Sequence, residues 1–553
     1  MTARRKFWGW GFEGQGPTEA EAETVRRMTG ARFGGLPEPL SVPRATEFEL
    51  APPRLRPPDS LAQACSTETP DRLAHAMGQS YADIARAFLR QVPHYPDLVA
   101  WPESTDDVAR WLDWADEAGA AVVPFGGGTS VCGGVEADVG PDYPAVVSLD
   151  LSRMNRVLEI EAQDRCALIE AGARGPEFEA ALKPAGLTLR HFPQSFELAT
   201  LGGMIVTRSG GHFATLYTHI DEFVQSVEMV TPRGRITTRR LPGSGAGPQP
   251  ERLVCGSEGI LGIVTAAWMR LQSVPVHRAS ASVRFDGFDR GAEAVRQLAR
   301  SGLNPANCRL LDPGEALMNG VGDGRSALLV LGFESADHAQ ETRLARALEI
   351  CAEAGGESRA GAGAQDSKAG KGGTGHGGAG RDAAADAWRR AFLRMPFYRE
   401  VLVPHGVIVD TFETACTWSA FPDFHRRVTA GIRDSIRRTT GRDGEVTCRF
   451  THVYPDGPAP YYTLYAASTP ERMLEHWREI KLAANELVVS GGGTVTHHHG
   501  VGRDHRPSGY DRERPDVYAE MLAAAKQAAD PAGLLNPGVL IGRRGGVLAA
   551  GAE

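Results

Sequence analysis

The stretch Pro124-Phe125-Gly126-Gly127-Gly128-Thr129-Ser130-Val131, which we call the first loop, decides the fold. It follows a β-prone run at 121–123 and joins three consecutive glycines to two hydroxyl side chains. Glycine lets a ligand approach the backbone closely, and successive amides in such a loop form an anion-binding concavity. No lysine follows the glycines and the spacing differs from G-x-G-x-x-G, so neither common nucleotide motif applies. We interpret the loop as a diphosphate cradle, and an ordinary glycine turn is the alternative.

Two similar clusters follow, the second loop at 191–211 and the third loop at 255–264. Glycines recur at every third position of the third loop, and an apolar run follows them. Three loops rich in glycine and hydroxyls within roughly 140 residues exceed what one tight turn requires. They suit a long ligand held along its length, such as FAD, whereas a mononucleotide would need only one such loop.

The composition is that of a globular protein, with 42% hydrophobic and 23% charged residues among 553. The 60 basic and 68 acidic residues give a net charge of -8, which argues against a nucleic-acid partner. The sequence contains no apolar run of about 18 residues, so we predict no membrane-spanning segment. Eight cysteines without C-x-x-C pairs indicate neither a disulfide framework nor a zinc site, and we expect a cytoplasmic protein.

Alternating helix-like and strand-like segments predict an α+β fold. We divide the chain into an N-terminal lead-in (1–94), a ligand-binding domain (95–275), a second domain (276–505) and a C-terminal segment (506–553) that closes the site. A glycine-rich insertion at 355–380 has too few large apolar residues to offset its ordering entropy. We predict that this insertion is mobile, and it is either a lid or a passive surface loop.

Three consecutive histidines precede Gly500. On an extended strand His497 and His499 would face one side and His498 the other, so one metal could not easily use all three. No carboxylate or cysteine cluster of the zinc type accompanies them. We therefore predict no metal, and we interpret the run as a polar cluster beside the ligand.

The three loops together resemble the FAD-binding segments of the vanillyl-alcohol oxidase and p-cresol methylhydroxylase (PCMH) superfamily. The closer resemblance is to the alkyldihydroxyacetonephosphate synthase family, and it keeps order and approximate spacing over nearly the whole chain. The stretches that carry it are Trp8-Gly9-Trp10-Gly11, His191 ahead of Pro193, Arg309-Leu310-Leu311-Asp312, Asp410-Thr411-Phe412-Glu413-Thr414, Cys448-Arg449-Phe450-Thr451 and His497-His498-His499-Gly500-Val501-Gly502.

The resemblance implies a two-subdomain PCMH-type FAD-binding domain at 95–275 and an antiparallel-sheet cap domain at 276–505. It also implies non-covalent FAD, although covalent attachment occurs elsewhere in the superfamily and Cys132 directly follows the first loop. The predicted cofactor-binding residues are Pro124, Phe125, Gly126, Gly127, Gly128, Thr129, Ser130, His191, Gln194, Ser195, Phe196, Glu197, Leu198, Ala199, Thr200, Thr207, Arg208, Ser209, Gly210, Gly256, Ser257, Glu258, Gly259, Ile260, Leu261 and Gly262.

The implied activity exchanges the acyl group of acyl-dihydroxyacetone phosphate for a long-chain fatty alcohol in ether-lipid synthesis, without net oxidation. By resemblance, Tyr461 is the acid/base residue, and the residues at 497–499 are the essential histidines. Arg309 lies beside the flavin, and Arg399 recognises the substrate phosphate. Thr411 stands where the family usually has serine.

Each residue also has a structural alternative. Tyr461 lies in an aromatic strand, where a packed core tyrosine is a serious alternative to a catalytic one. Arg399 would by default be a surface arginine, whereas the apolar neighbours of Arg309 indicate a buried, paired charge.

Two rival functions share the FAD loops: an FAD-linked 2-hydroxy-acid dehydrogenase or oxidase of the D-lactate or glycolate type, and a non-catalytic flavin-binding protein. We expect lipid-like small-molecule substrates and a homodimer. The sequence shows no long basic amphipathic helix, so any contact with a membrane surface would be peripheral.

Overall fold

The computed structural model describes residues 4–217, 219–358 and 393–543. Most of the insertion predicted at 355–380 therefore lies outside the described residues. The helices are Glu19–Phe33, Asp59–Ala62, Thr69–Ala74, Tyr81–Phe88, Thr105–Ala118, Gly175–Leu182, Leu201–Val206, Ala214–Tyr217, Ile220–Phe223, Pro250–Val254, Phe288–Arg300, Pro313–Met318, Glu341–Glu353, Tyr398–Leu402, Phe421–Thr440, Met473–Ser490, Asp511–Glu513 and Asp516–Ala529.

The strands are β1 Cys65–Ser66, β2 Leu98–Ala100, β3 Ala121–Phe125, β4 Val146–Asp150, β5 Val157–Glu161, β6 Cys166–Glu170, β7 Leu187–Thr188, β8 Val224–Thr231, β9 Gly234–Thr237, β10 Ile263–Arg270, β11 Gln272–Ser273, β12 His277–Phe285, β13 Asn307–Leu311, β14 Ala327–Ser335, β15 Glu357–Ser358, β16 Val407–Glu413, β17 Glu445–Val453 and β18 Pro458–Ala467.

The first sheet has the order β1-β2-β4-β3, and β2, β4 and β3 run parallel. The helix Thr105–Ala118 packs on this sheet. It begins where the Ser104 side chain accepts the Asp107 amide, and it ends at Gly119, whose φ is 66°. Its buried face includes Val108, Trp111 and Leu112, as the helical spacing predicted. The first loop leaves the carboxyl end of β3, where parallel sheets present their ligand sites.

The second sheet is antiparallel, with the order β5-β6-β10-β8-β9. The third loop runs directly into β10, its central strand. The buried side chains of the first and second sheets form one hydrophobic core, to which Leu149, Ile169 and Val227 belong. The first and third loops therefore extend from strands that share one core.

The third large sheet is the seven-stranded cap sheet, with the order β15-β12-β14-β13-β17-β18-β16. Its neighbouring strands pair antiparallel. Four helices cover one face of it: Phe288–Arg300, Glu341–Glu353, Phe421–Thr440 and Met473–Ser490. Because side chains alternate along a strand, the residues between those in this core point to the opposite face.

Both ends of the chain join these domains. β1 and the helix Tyr81–Phe88 belong to the predicted lead-in, yet β1 extends the first sheet and Tyr81 packs in the cap core. At the other end, Asn536 donates its amide to Val122 at 2.8 Å, so the C-terminal segment lies along β3. Among the described residues, no helix combines the length and apolar character that crossing a bilayer would require.

Candidate flavin site

A cavity of about 270 Å³ lies between the three glycine loops and the uncovered face of the cap sheet. The cap sheet contributes side chains that share this face: Arg309, Val409, Thr411, Arg449, Thr451, Tyr461, Thr463 and Tyr465. The alternate residues, among them Leu310, Cys448 and Tyr462, pack against the helices. The alternation of each strand therefore separates the chemistry-bearing side chains from the apolar core.

The first loop lines this cavity with backbone N–H groups that have no hydrogen-bond acceptor within the described part of the chain. All residues at 124–132 line it, and the amides of Gly127, Gly128, Thr129 and Ser130 donate no hydrogen bond within the described part of the chain. Successive backbone N–H groups that line a concave loop form an anion-binding site. The diphosphate of FAD fits this cradle.

Glycine is required here by packing as well as by the ligand. A Cβ on Gly127 would lie 2.0 Å from the Leu198 carbonyl oxygen, and one on Gly126 would lie 2.2 Å from the Thr200 hydroxyl. The first loop therefore packs directly against the second loop, whose Thr200 also caps the helix Leu201–Val206.

The structure places the other predicted cofactor-binding residues in two groups. The cavity is lined by Gln194, Ser195, Ala199, Thr200, Thr207, Ser209, Gly210, Glu258, Gly259 and Gly262. The residues outside its lining are His191, Phe196, Glu197, Leu198, Arg208, Gly256, Ser257, Ile260 and Leu261.

Several of the outer group support the lining residues. His191 is buried and hydrogen-bonds the Ser209 hydroxyl at 2.7 Å, and burial lowers the pKa of His191 to about 3. Arg208 points away, toward Asp221 at 3.1 Å. These residues support the second loop but do not line the cavity. Matching the sequence residue by residue could not distinguish such supporting residues from those that line the cavity.

The histidine loop, residues 497–502, is not the extended strand that the sequence suggested. The carboxylate of Glu413 accepts the backbone amides of His497, His498 and His499 at 2.6, 3.0 and 2.8 Å. Three successive amides converge on one acceptor only if the backbone curls around it. The side chains of His498 and His499 consequently both line the cavity.

Charge holds this loop in place. Burial alone would raise the pKa of Glu413, but the adjacent His498 and His499 bring it well below its usual value. Burial lowers the pKa of His499 to about 3, although Glu413 opposes this effect. A second buried carboxylate holds the end of the histidine loop, because Glu258 accepts hydrogen bonds from the backbone amides of Val501 and Gly502 at 2.7 and 2.8 Å.

Tyr461 lies in the cap sheet opposite the glycine loops. Its ring centre is 6.2 Å from that of His498 and 5.5 Å from that of His499. The guanidinium of Arg449, its partner across β17 and β18, lies over the ring. Arg449 in turn forms a buried ion pair with Glu315. Tyr461 thus has both imidazole and cationic neighbours.

Two more predicted arginines reach the cavity. Arg309 is buried, and burial together with the charge of Arg449 lowers the pKa of Arg309. Arg399 donates to the Gln79 carbonyl at 2.9 Å and lies 3.4 Å from the Asp410 carboxylate. Thr411 lines the same wall on β16. Clustered guanidiniums favour an anionic occupant.

Sequence reasoning missed the roles of several lining residues. Trp10 and Asn536 reach the cavity from the two ends of the chain, and His452 reaches it from β17. Glu413 does not line the cavity but accepts the backbone amides of the histidine loop. The signal was present for Trp10, Arg449 and Glu413, which lie within stretches that carried the resemblance, and Asn536 lies in the C-terminal segment that we predict to close the site. Their spacing gave no indication of what each side chain contacts.

Comparisons with known proteins identify relatives that bind FAD or are linked to it. Residues 96–239 match the family described as "FAD binding domain", and residues 274–540 match "FAD linked oxidases, C-terminal domain". Alkyldihydroxyacetonephosphate synthase of Dictyostelium discoideum is 27% identical over 500 residues, which cover 85% of this chain and 77% of that protein.

Solved structures show the same fold. A structure of alkyldihydroxyacetonephosphate synthase matches with a TM-score of 0.77 at 21% identity, covering 97% of this chain and 98% of that one. p-Cresol methylhydroxylase with substrate bound matches with a TM-score of 0.62 at 14% identity, covering 87% of this chain and 94% of that one. The predicted PCMH-type fold is confirmed.

Family models of FAD-dependent proteins therefore match two separate parts of this chain, and FAD is its cofactor. The resemblance to alkyldihydroxyacetonephosphate synthase is confirmed over most of its length.

Proposed function

We propose that this protein exchanges the acyl group of acyl-dihydroxyacetone phosphate for a long-chain fatty alcohol. The observation that carries the proposal is the convergence of Tyr461, Arg309, His498 and His499 on the cavity that the glycine loops also line. A lipid-like substrate suits the cavity, since its apolar stems can pack beside Val409 and Trp10 while its phosphate meets guanidinium groups.

FAD, when bound, supplies the centre that holds the substrate carbon while one oxygen substituent replaces another. The residues of this chain do the rest. The bare amides of Gly127 and Ser130 bind the FAD diphosphate, and Thr129 and Ser130 add hydroxyl donors. Non-covalent binding is consistent with Cys132, whose thiol donates to the His499 carbonyl at 3.3 Å and whose pKa burial raises.

Arg399 orients the substrate by its phosphate. A guanidinium binds phosphate through two parallel hydrogen bonds, which an ammonium cannot do. Arg399 is mostly buried and anchored to Asp410, so little conformational freedom is lost when the phosphate binds. Arg309 adds positive charge where the reacting carbon and flavin meet.

Tyr461 moves the proton. A phenol ionises near pH 10 in water, so proton transfer near neutrality needs cations or hydrogen-bond donors beside it. Arg449 and the two cavity-facing histidines supply that environment. Thr411 lines the same cavity, opposite Thr463 across β16 and β18, and keeps the hydroxyl of the family's serine while adding a methyl group.

The rival function, an FAD-linked 2-hydroxy-acid dehydrogenase or oxidase, shares the same fold. It would reduce an electron acceptor in proportion to product, whereas the exchange releases a fatty acid and leaves no net reducing equivalents. The decisive experiment incubates FAD-loaded protein with acyl-dihydroxyacetone phosphate and a fatty alcohol, then quantifies ether product, fatty acid and reduced acceptor. Acceptor reduction without ether product would overturn the proposal.

The lipid substrates lead us to propose peripheral contact with a membrane surface, and we further propose a cytoplasmic location and a homodimer. Val517 and Met521 are 68% and 64% exposed on the helix Asp516–Ala529 and offer an apolar surface for membrane contact. Vesicle flotation and analytical ultracentrifugation test the membrane and dimer proposals separately.

A further inference from the structure

A chain of hydrogen bonds leads away from the cavity through four side chains. His498 Nδ1 lies 3.0 Å from His497 Nδ1, and His497 Nε2 lies 2.7 Å from the Tyr454 hydroxyl. That hydroxyl also contacts His219 Nε2. His498 lines the cavity, whereas His219 and Tyr454 lie outside its lining and are partly exposed.

The overall exchange requires a path for a proton. One C–O bond to the acyl group breaks, one ether C–O bond forms, and the O–H bond of the alcohol breaks. No atom changes oxidation state overall. Because a fatty acid is ionised near pH 7, it departs as a carboxylate, and the alcohol proton is released into the cavity once per turnover.

We propose that His498, His497, Tyr454 and His219 form a proton relay that carries this proton from the cavity to the protein surface. The inference rests on the proposed exchange activity. Tyr461 takes the proton from the alcohol and passes it to His498, whose ring centre is 6.2 Å from that of Tyr461. His498 receives it at Nε2, the ring nitrogen that has no hydrogen-bond partner among the described residues. Tyr454 and His219 act through His497 and His498, so they are positioning and transfer residues and do not touch the substrate.

The geometry of Tyr454 supports a relay because its single proton can point in two directions. If it points to His219, His497 donates from Nε2 and accepts at Nδ1 from His498, which leaves Nε2 of His498 with a free lone pair. If it points to His497, every hydrogen bond reverses and Nε2 of His498 carries the proton. The two arrangements differ by one proton delivered from His498 to His219.

The surrounding charges favour the receptive arrangement. Glu413 Oε2 lies 3.3 Å from His498 Nδ1, so the carboxylate favours a proton on that nitrogen and a lone pair on Nε2. Burial lowers the pKa of His497 and His219, which keeps both rings neutral and able to donate and accept. At the outer end, Asp221, Arg208 and Glu413 are the charged groups that act on His219, besides the neighbouring ring of His498.

The nearby His452 is not a relay member. Its Nε2 is 3.1 Å from the Gly211 carbonyl and its Nδ1 is 3.2 Å from the Thr451 hydroxyl, so both nitrogens are already engaged. Nitrogens of His452, His497 and His498 lie close enough to share a metal, but those of His452 are committed to these hydrogen bonds. The path therefore runs through Tyr454.

The relay is tested with Tyr454→Phe, which keeps the ring and removes only the hydroxyl. We expect kcat to fall at least tenfold while KM and FAD content stay unchanged. The matched control is Tyr462→Phe, which removes a buried hydroxyl bonded to His425 at 3.1 Å on the other face of the cap sheet and should keep wild-type kcat. Wild-type kcat in Tyr454→Phe would overturn the relay.

Chemical rescue separates a relay from a structural contact. His219→Ala should lose kcat and regain part of it when imidazole is added to the buffer, because a small base can occupy the vacated outer end. Failure of imidazole to restore any activity would count against the relay.

A readout without turnover keeps the relay distinct from the proposed function. In ¹⁵N-histidine NMR of the FAD-loaded protein, Tyr454→Phe should shift the signals of both His497 and His498, since their tautomers are linked. A shift confined to His497 would contradict the relay even if the wild-type protein proved inactive in the exchange.

Discussion

The guanidinium carbon of Arg449 lies 3.8 Å from the centre of the Tyr461 ring. The contact follows from strand register, because these two residues face each other across β17 and β18. A buried cation over a phenol stabilises the phenolate that forms when the proton leaves.

Removing this cation should slow the proton transfer. Arg449→Met is best combined with Glu315→Gln, since removing one partner of a buried ion pair leaves an uncompensated charge. A desolvated contact of this kind is worth about 2 kcal/mol, or roughly a thirtyfold loss in kcat. Steady-state kinetics check the loss, and the matched control removes both partners of another buried ion pair, Arg190→Met with Glu334→Gln. An unchanged kcat in the double variant would show that Arg449 serves only the fold.

Tyr461→Phe should abolish the exchange and leave the flavin in place. Loss of a general acid/base typically costs about 10²- to 10⁴-fold in rate. The measurement pairs ether-product analysis with the flavin absorbance of the purified variant. Full exchange activity in Tyr461→Phe would exclude the proposed role of Tyr461. The function of a non-catalytic flavin-binding protein would not depend on this hydroxyl.

Gly127→Ala should lose FAD. The new Cβ would meet the Leu198 carbonyl oxygen at 2.0 Å and push the first loop away from the second. Gly243→Ala is the matched control, because a Cβ there meets nothing within 4 Å. The flavin-to-protein absorbance ratio is the readout, and equal ratios in the two variants would argue against the first loop as the diphosphate cradle.

Glu413→Gln should destabilise the protein and disorder the histidine loop. A glutamine side chain keeps one acceptor oxygen, but its NH₂ group would face backbone amides that are also donors. We expect this mismatch to lower the free energy of unfolding by about 1–3 kcal/mol. The folded pKa of Glu413 lies well below its usual value. Its contribution is therefore fully present above the unfolded pKa, about 4.5, and is lost as pH falls toward the folded value.

Denaturant unfolding of the wild type and Glu413→Gln between pH 4 and 7 checks this sign. The difference in unfolding free energy should be constant above about pH 5.5 and shrink below about pH 4.5. Glu334→Gln, which alters a buried carboxylate paired with Arg190 elsewhere, should cost stability without changing kcat. A difference that grows on acidification would refute the assignment.

Arg399→Lys should raise KM for the phosphate-bearing substrate. Losing bidentate contact with an anion costs about 1.5–3 kcal/mol, roughly ten- to a hundredfold in kcat/KM. The effect should vanish with a substrate analogue that lacks the phosphate. Arg437→Gln, a largely exposed arginine paired with Asp443, is the control and should change neither constant.

Local sequence patterns predict helices and strands correctly where interactions between residues close in the sequence determine them. The helix Thr105–Ala118 could be predicted because its cap and its apolar spacing lie within its own sequence. The histidine run could not, because the acceptor that bends it, Glu413, is 84 residues away from His497. The position of His191 could not be predicted either, because its hydrogen bond to Ser209 forms only when the second loop folds back on itself.

By itself, the sequence determined the glycine loops, the FAD-binding class and the set of residue types available for catalysis, because these depend on local backbone freedom and on motifs kept in order. Only the tertiary structure decided which of those residues meet. Strand register set Arg449 over Tyr461, and a buried carboxylate curled the histidines toward the cavity. The pairing of β17 with β18 and the reach of Glu413 are contacts between distant segments, and no local pattern encodes which partner a buried charge will find.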